Sequence, residues 1–181
     1  MSKIKIVTWN IRYATDGDGI NSFTNRSGMI REKIRSELPD VIAFQEVTDQ
    51  SRLPLEQMLP EYCFLGMMRS ENFDTEGLYI AAKKEAFEVI GLESVWLSST
   101  PYTAGSRFED QSIFPRICTM TYLRHRENNF RVRVFNLHLD HISEPARTLG
   151  AKAVLDFVRS YDNKEKLPTV ILGDFNATPD S

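Results

Sequence analysis

The chain has few of the residues that carry redox and thiolate-metal chemistry: 2 cysteines and 3 histidines in 181 residues. Cys63 and Cys118 both lie in apolar, strand-like runs, which suits reduced core thiols in a reducing compartment better than a disulfide framework. Basic charge is not in surplus either. With 22 Lys and Arg against 25 Asp and Glu the formal charge is −3, so bulk attraction to polyanions is excluded and nucleic-acid contact falls to local arginine clusters. No stretch approaches a membrane span, and Met1 to Val7 enters alternation directly without an apolar leader, so a cytoplasmic location is expected. Repeats, low-complexity tracts and linkers are absent, and a single domain over residues 1–181 is expected, with 41% hydrophobic content to build its core.

What the chain does have is a succession of short apolar runs. Lys3 to Trp9 alternates Lys with Ile and Val and reads as a first strand, with Asn10 at its C-terminal end. Ile30, Ile34 and Leu38 recur every four residues and stop at Pro39, predicting an amphipathic helix. Residues 40–46 predict a buried strand ending in Gln45 and Glu46, residues 49–59 a short helix, and residues 62–68, 78–82 and 87–97 further strands. The interval 98–116, interrupted by Pro101, Gly105 and Pro115, predicts a long loop that overhangs the strand ends and carries Arg107 and Arg116 toward them. Residues 117–123 and 130–137 predict an antiparallel pair, the second strand running into His138-Leu139-Asp140-His141. Ser143 predicts a helix cap with Pro145 in the first turn and a buried stripe of Ala146, Leu149, Ala153, Val154, Phe157 and Val158. A last run, Pro168 to Leu172, ends in Gly173-Asp174-Phe175-Asn176. Extended backbone places Asp174 and Asn176 on one face, although Gly-Asp before a loop is also ordinary Asx-turn chemistry.

Strand, helix, strand order with short connections predicts a layered α/β arrangement whose strand ends gather on one rim. Asn10, Glu46, His138, Asp174 and Asn176 all fall there, and metal-assisted phosphoryl transfer needs these residue types together. Glu46 is an oxygen ligand suited to Mg²⁺, and Asn10 a partner for a phosphoryl oxygen or a metal-bound water. An imidazole at His138 can stabilise a pentavalent phosphorus or move a proton, with Asp140 on the same strand face to orient its ring; a packed, hydrogen-bonded strand histidine is the plainer reading. Arg12, Arg116 and Arg147 are candidate phosphate clamps, or else surface arginines in ion pairs. The cluster His138-x-Asp140-His141 also offers donors to zinc, but no second His or Cys cluster completes the set. Asp16-Gly17-Asp18-Gly19 lacks the third acid and distal Glu of a calcium loop and reads as a turn.

The succession Trp9-Asn10-Ile11-Arg12, Gln45-Glu46, Asn136-Leu137-His138-Leu139-Asp140-His141 and Gly173-Asp174-Phe175-Asn176 resembles the endonuclease/exonuclease/phosphatase superfamily over nearly the whole chain. The resemblance implies a four-layer α/β/β/α sandwich of mixed, mostly antiparallel sheets with a divalent-metal phosphoesterase site at one edge. It implies Glu46 as principal Mg²⁺ ligand beside Asn10, with Mn²⁺ as the alternative ion. It implies His138 against the scissile phosphate, and Asp174 and Asn176 orienting the attacking water and binding phosphate; Arg12 matches more loosely. The implied partner is a phosphate ester, whether nucleic acid, nucleotide or a small ester, and the acidic balance leans toward a small or short one.

Members of the superfamily carry a further Asp and then an Asp-His pair on later strands, and no residue before Ser181 takes that role. The expectation is therefore a domain lacking the final strands of its second sheet, with an open edge and little or no activity alone, since loss of a general base typically costs ~10²–10⁴-fold. The competing expectation is a non-catalytic module on the same fold that holds an anion or a partner at the rim.

Overall fold

A computed structural model describes residues 3–178. Expectations attached to Met1, Ser2 and the end at Ser181 lie outside the described residues. The apolar runs form two four-stranded sheets. In the first, β1 (Ile6–Asn10), β2 (Val41–Val47), β3 (Tyr62–Met68) and β4 (Gly77–Lys83) lie in the order β1-β2-β4-β3. In the second, β5 (Phe87–Trp96), β6 (Ile117–His125), β7 (Arg131–His138) and β8 (Thr169–Asp174) lie in sequence order. β1 pairs parallel with β2 and β7 with β8, while the remaining pairings are antiparallel.

The sheets face each other. Val41, Ile80 and Ala82 of the first share a core with Leu123, Val132 and Val134 of the second. Outside the first sheet lie α1 (Phe23–Glu37) and α2 (Asp49–Met58), whose Phe23, Ile30, Ile34 and Leu55 pack on Ile42, Phe44 and Tyr62. Outside the second lies α3 (Glu144–Asp162), with Val154 against Leu97, Phe135 and Leu139. This is the four-layer α/β/β/α sandwich. Ser143 caps α3, its Oγ accepting from the Ala146 N–H at 3.2 Å.

Two apolar residues expected on buried helix stripes are on the surface. Leu38 is the left-handed C-cap of α1 (φ 49°) and 64% exposed, because the helix ends at Glu37 and the turn into Pro39 swings it outward. Leu149 is 43% exposed, and Gly150 takes the inward position, where a Cβ would stand 3.0 Å from the Leu139 side chain.

Beneath the rim the two sheets are joined by polar side chains. Asn136 of β7 is fully buried. Its Nδ2 donates to the Phe44 carbonyl (2.8 Å) and the Tyr79 carbonyl (3.2 Å), and its Oδ1 accepts from Gln45 Nε2 (2.7 Å). Gly173 sets the register of β8 beside it. At φ 145°, a Cβ there would stand 2.0 Å from the Leu137 carbonyl oxygen. Gly173→Ala is expected to lower stability by ~1–3 kcal/mol or more through the displacement of β8 from β7, read as a lower urea midpoint at unchanged slope.

Candidate active site

The C-terminal ends of β1, β2, β7 and β8 converge on one rim, as the parallel pairs require. There Asn10 Nδ2 donates to Glu46 Oε1 (2.7 Å) and to Asp174 Oδ2 (2.9 Å), so one amide ties two carboxylates together. Its Oδ1 accepts from the Arg12 N–H (2.9 Å), while Glu46 Oε2 accepts from the Tyr13 N–H (2.7 Å). Glu46 is aimed by a break in β2: the register with β4 shifts between Phe44 and Val47, and Glu46 itself has φ 62°. Arg12 (φ 61°) and Asn176 (φ 48°) adopt the same sparsely populated conformation at this rim, a concentration of backbone strain typical of functional sites.

Asp174 uses its second oxygen locally. Oδ1 accepts from the Asn176 N–H at 2.9 Å, which is the Asx turn, and Asn176 Nδ2 is anchored on the Leu139 carbonyl (2.9 Å). Asp174 and Asn176 therefore reach the site through a turn rather than by sharing a strand face. Burial alone would raise the Asp174 pKa, but the bonds from Asn10 and Asn176 outweigh it and hold it below the ordinary value.

His138 stands between two carboxylates, its Nε2 3.9 Å from Asp174 Oδ2 and its Nδ1 3.7 Å from Glu76 Oε1. Burial, then the charge of Arg116, push its pKa down to about 4, so the ring is neutral at pH 7. A depressed histidine contributes stability that is fully present above its unfolded value and is lost as pH falls toward the folded one. Thermal midpoints are expected to drop between pH ~6.5 and ~4, and a His138→Gln variant to lack that part of the drop.

Two arginines form the floor. Arg116 and Arg69 are 3% and 8% exposed, and burial lowers the pKa of both, that of Arg69 to about 10. Arg69 Nη1 pairs with Glu76 Oε1 (2.5 Å), whose own pKa burial raises, and its guanidinium lies over the Phe114 ring at 4.9 Å. Arg69 Nε and Arg116 Nη1 are buried without a hydrogen-bond partner. These residues, with Arg12, Tyr13, Glu46, Asp49, Asp74 and His141, line an open cleft of about 690 Å³.

The structure reassigns part of the predicted set. Asp140 does not orient His138. β7 ends at His138, so alternation stops, and Asp140 turns to Ser112 Oγ, Arg116 Nε (3.5 Å) and the N–H groups of Ile142 (3.0 Å) and Ser143 (2.8 Å). Burial would raise its pKa, but these bonds bring it to about 2. Asp140 thus fastens the loop that supports Arg116. Arg147 donates to the Asp140 carbonyl (3.2 Å) from behind that loop and does not line the cleft. Arg116 arrives as expected, whereas Arg107 is tied to the Ser112 carbonyl (2.8 Å). Arg12 lines the mouth, paired with Asp18 (3.1 Å), which sits in the short 3₁₀ segment Asp16–Asn21. His138, Asp140 and His141 do not form one zinc-like centre: His138 lies between Asp174 and Glu76, whereas Asp140 and His141 both turn to Arg116, whose Nη2 donates to His141 Nδ1 (2.7 Å). Glu76 and Arg69 were not anticipated as site residues, and His141 only as a zinc donor.

Among the described residues no group of three or more His, Cys, Asp or Glu side chains is disposed to hold a metal ion. A hard divalent cation of the Mg²⁺ type needs none, since it commonly takes one or two carboxylates and keeps several waters. Glu46 and Asp174, bridged by Asn10 Nδ2, supply two carboxylates of that kind, and Asn10 Oδ1, which accepts from the Arg12 N–H, has a second lone pair to offer beside them.

A sandwich of two mixed sheets with this polar rim defines a class of α/β proteins whose chemistry sits at one sheet edge. The model of the Endonuclease/Exonuclease/phosphatase family matches residues 7–181, and the chain belongs to that family. Solved structures agree. A family protein from Bacteroides thetaiotaomicron is 25% identical with a TM-score of 0.92, matching 98% of this chain and 65% of its own. A Bacteroides thetaiotaomicron mannosyl-6-phosphatase is 25% identical with a TM-score of 0.94, over 99% of this chain and 67% of its own. A family protein from Bacteroides vulgatus is 27% identical with a TM-score of 0.93, over 100% and 69%. The chain thus spans about two thirds of the length of these structures. No curated protein matches the sequence. No helix among the described residues is long and apolar enough to cross a membrane.

Proposed function

We propose that the chain carries the site of a Mg²⁺-dependent phosphoesterase that hydrolyses a phosphate ester by in-line attack of water. The observation that carries this reading is the Asn10 amide bonded to both Glu46 and Asp174, beside a neutral buried His138 and above two buried arginines. Glu46 and Asn10 would hold the ion, which when bound supplies Lewis-acid polarisation of a phosphoryl oxygen. His138 donates a hydrogen bond to a phosphoryl oxygen from one ring nitrogen, and its neutrality keeps the other nitrogen free to accept a proton. Asp174, held ionised by Asn10 and Asn176, accepts from the attacking water and orients it. Arg116 and Arg69 offset charge developing on the phosphoryl group in a partly desolvated floor.

The mannosyl-6-phosphatase at 25% identity supports a monoester as the substrate, and a cytoplasmic setting accords with the free cysteines. The test is hydrolysis of p-nitrophenyl phosphate and its bis ester, with and without Mg²⁺. Hydrolysis that disappears on chelation and returns with Mg²⁺ or Mn²⁺ is expected. Metal-independent hydrolysis would overturn the mechanism. An inert protein that still binds inorganic phosphate would make the site a binding module instead.

A further inference from the structure

The cleft changes character from floor to mouth. Its floor holds Arg69, Arg116 and His138, each under 10% exposed, and two of the guanidinium nitrogens there have no partner. Its mouth is lined from the start of α2 by Asp49 and Gln50 and from the β3–β4 turn by Asp74 and Thr75, all exposed. Among the described residues the Asp49 side chain has neither hydrogen bond nor ion pair, and the Asp74 carboxylate accepts from Ser70 Oγ (2.8 Å) and pairs with no cation. The arginines of the cleft do not neutralise them, because Arg12 faces Asp18, Arg69 faces Glu76 and Arg116 faces Asp140.

A charge arrangement of this kind sorts ligands by where their anions lie. One phosphate is welcome on the floor. A second phosphate, whether on a bisphosphate or on the next nucleotide, would be pressed against unpaired carboxylates, with a repulsion that salt screens. Hydroxyl groups suit the same mouth, since the Asp49 and Asp74 carboxylates and the Gln50 amide oxygen accept from them. Resting on the phosphoesterase reading above, we infer that Asp49 and Asp74 restrict the site to monoesters of neutral polyhydroxyl compounds, such as sugars, whose single anion is the phosphate bound on the arginine floor.

The test is calorimetric binding, in Mg²⁺, of inorganic phosphate, glucose 6-phosphate, a hexose bisphosphate and a phosphorylated dinucleotide. At low salt the hexose monophosphate is expected to bind about five- to tenfold more tightly than either multiply charged ligand. The gap should close at ~0.5 M salt and in the double variant Asp49→Asn/Asp74→Asn. Because Asp49 lies in the first turn of α2, Asp74→Asn alone serves as a second variant that leaves the helix untouched and should close part of the gap. Equal or tighter binding of the bisphosphate, or a gap that persists in folded variants, would overturn the inference while leaving the phosphoesterase reading intact. Failure of inorganic phosphate to bind at all would overturn both.

Discussion

Asn136→Ala is expected to cost ~2–4 kcal/mol of stability, one of the two largest effects foreseen for a single substitution here. The side chain is fully buried and makes three hydrogen bonds across the sandwich, two to backbone carbonyls of the facing sheet and one from Gln45. Truncation leaves the Phe44 and Tyr79 carbonyls short of a donor in a place closed to water, and it removes one partner of Gln45. Gln45 keeps bonds to Thr8 Oγ1 (3.1 Å) and the Ala43 carbonyl (3.0 Å), so the loss is partial. Asn136→Asp should be worse, because a carboxylate faces two carbonyl oxygens with nothing to donate. Urea unfolding measures both. A cost under ~1 kcal/mol for Asn136→Ala would show that the sheets are held by apolar packing alone.

The second large effect is on chemistry. Glu46→Gln keeps the size of the side chain and an oxygen for the Tyr13 N–H or the Asn10 amide, yet removes the charge that the ion requires. Mg²⁺-dependent hydrolysis is expected to fall by ~10²–10³-fold, with the fold intact by circular dichroism. Asn10→Ala should reduce activity in the same direction and also loosen Asp174, since the amide bonds both carboxylates. Activity of Glu46→Gln within a few-fold of the parent would move the metal elsewhere.

Much of the architecture was legible because apolar alternation and helix periodicity report which face is buried, and here each sheet turns one face to a shared core. β3 occurs over the predicted residues, and the β6–β7 pair and the capped α3 occur where the pattern placed them. Periodicity failed at helix ends and beside a glycine. Leu38 fits the stripe but lies past the last helical turn, and Leu149 yields the buried position to Gly150. At the site, Asn10, Glu46, His138, Asp174 and Asn176 were legible as polar residues terminating apolar runs. Glu76 and Arg69 were not, because each lies just outside a strand in a turn, without periodic context. Only the antiparallel pairing of β3 with β4 brings their hairpin to the rim where β1 and β2 end. Asp140 was misread because extended geometry was carried past His138, where the chain leaves the sheet.

The most direct test of the site is a calorimetric titration of Mn²⁺ into the parent protein and into Glu46→Gln. One divalent site per chain is expected, weakened at least about tenfold in the variant and unchanged in Asp74→Asn. Equal affinity in the parent and Glu46→Gln would contradict the assignment of Glu46 and Asn10 as the metal-binding pair, and with it the proposed chemistry.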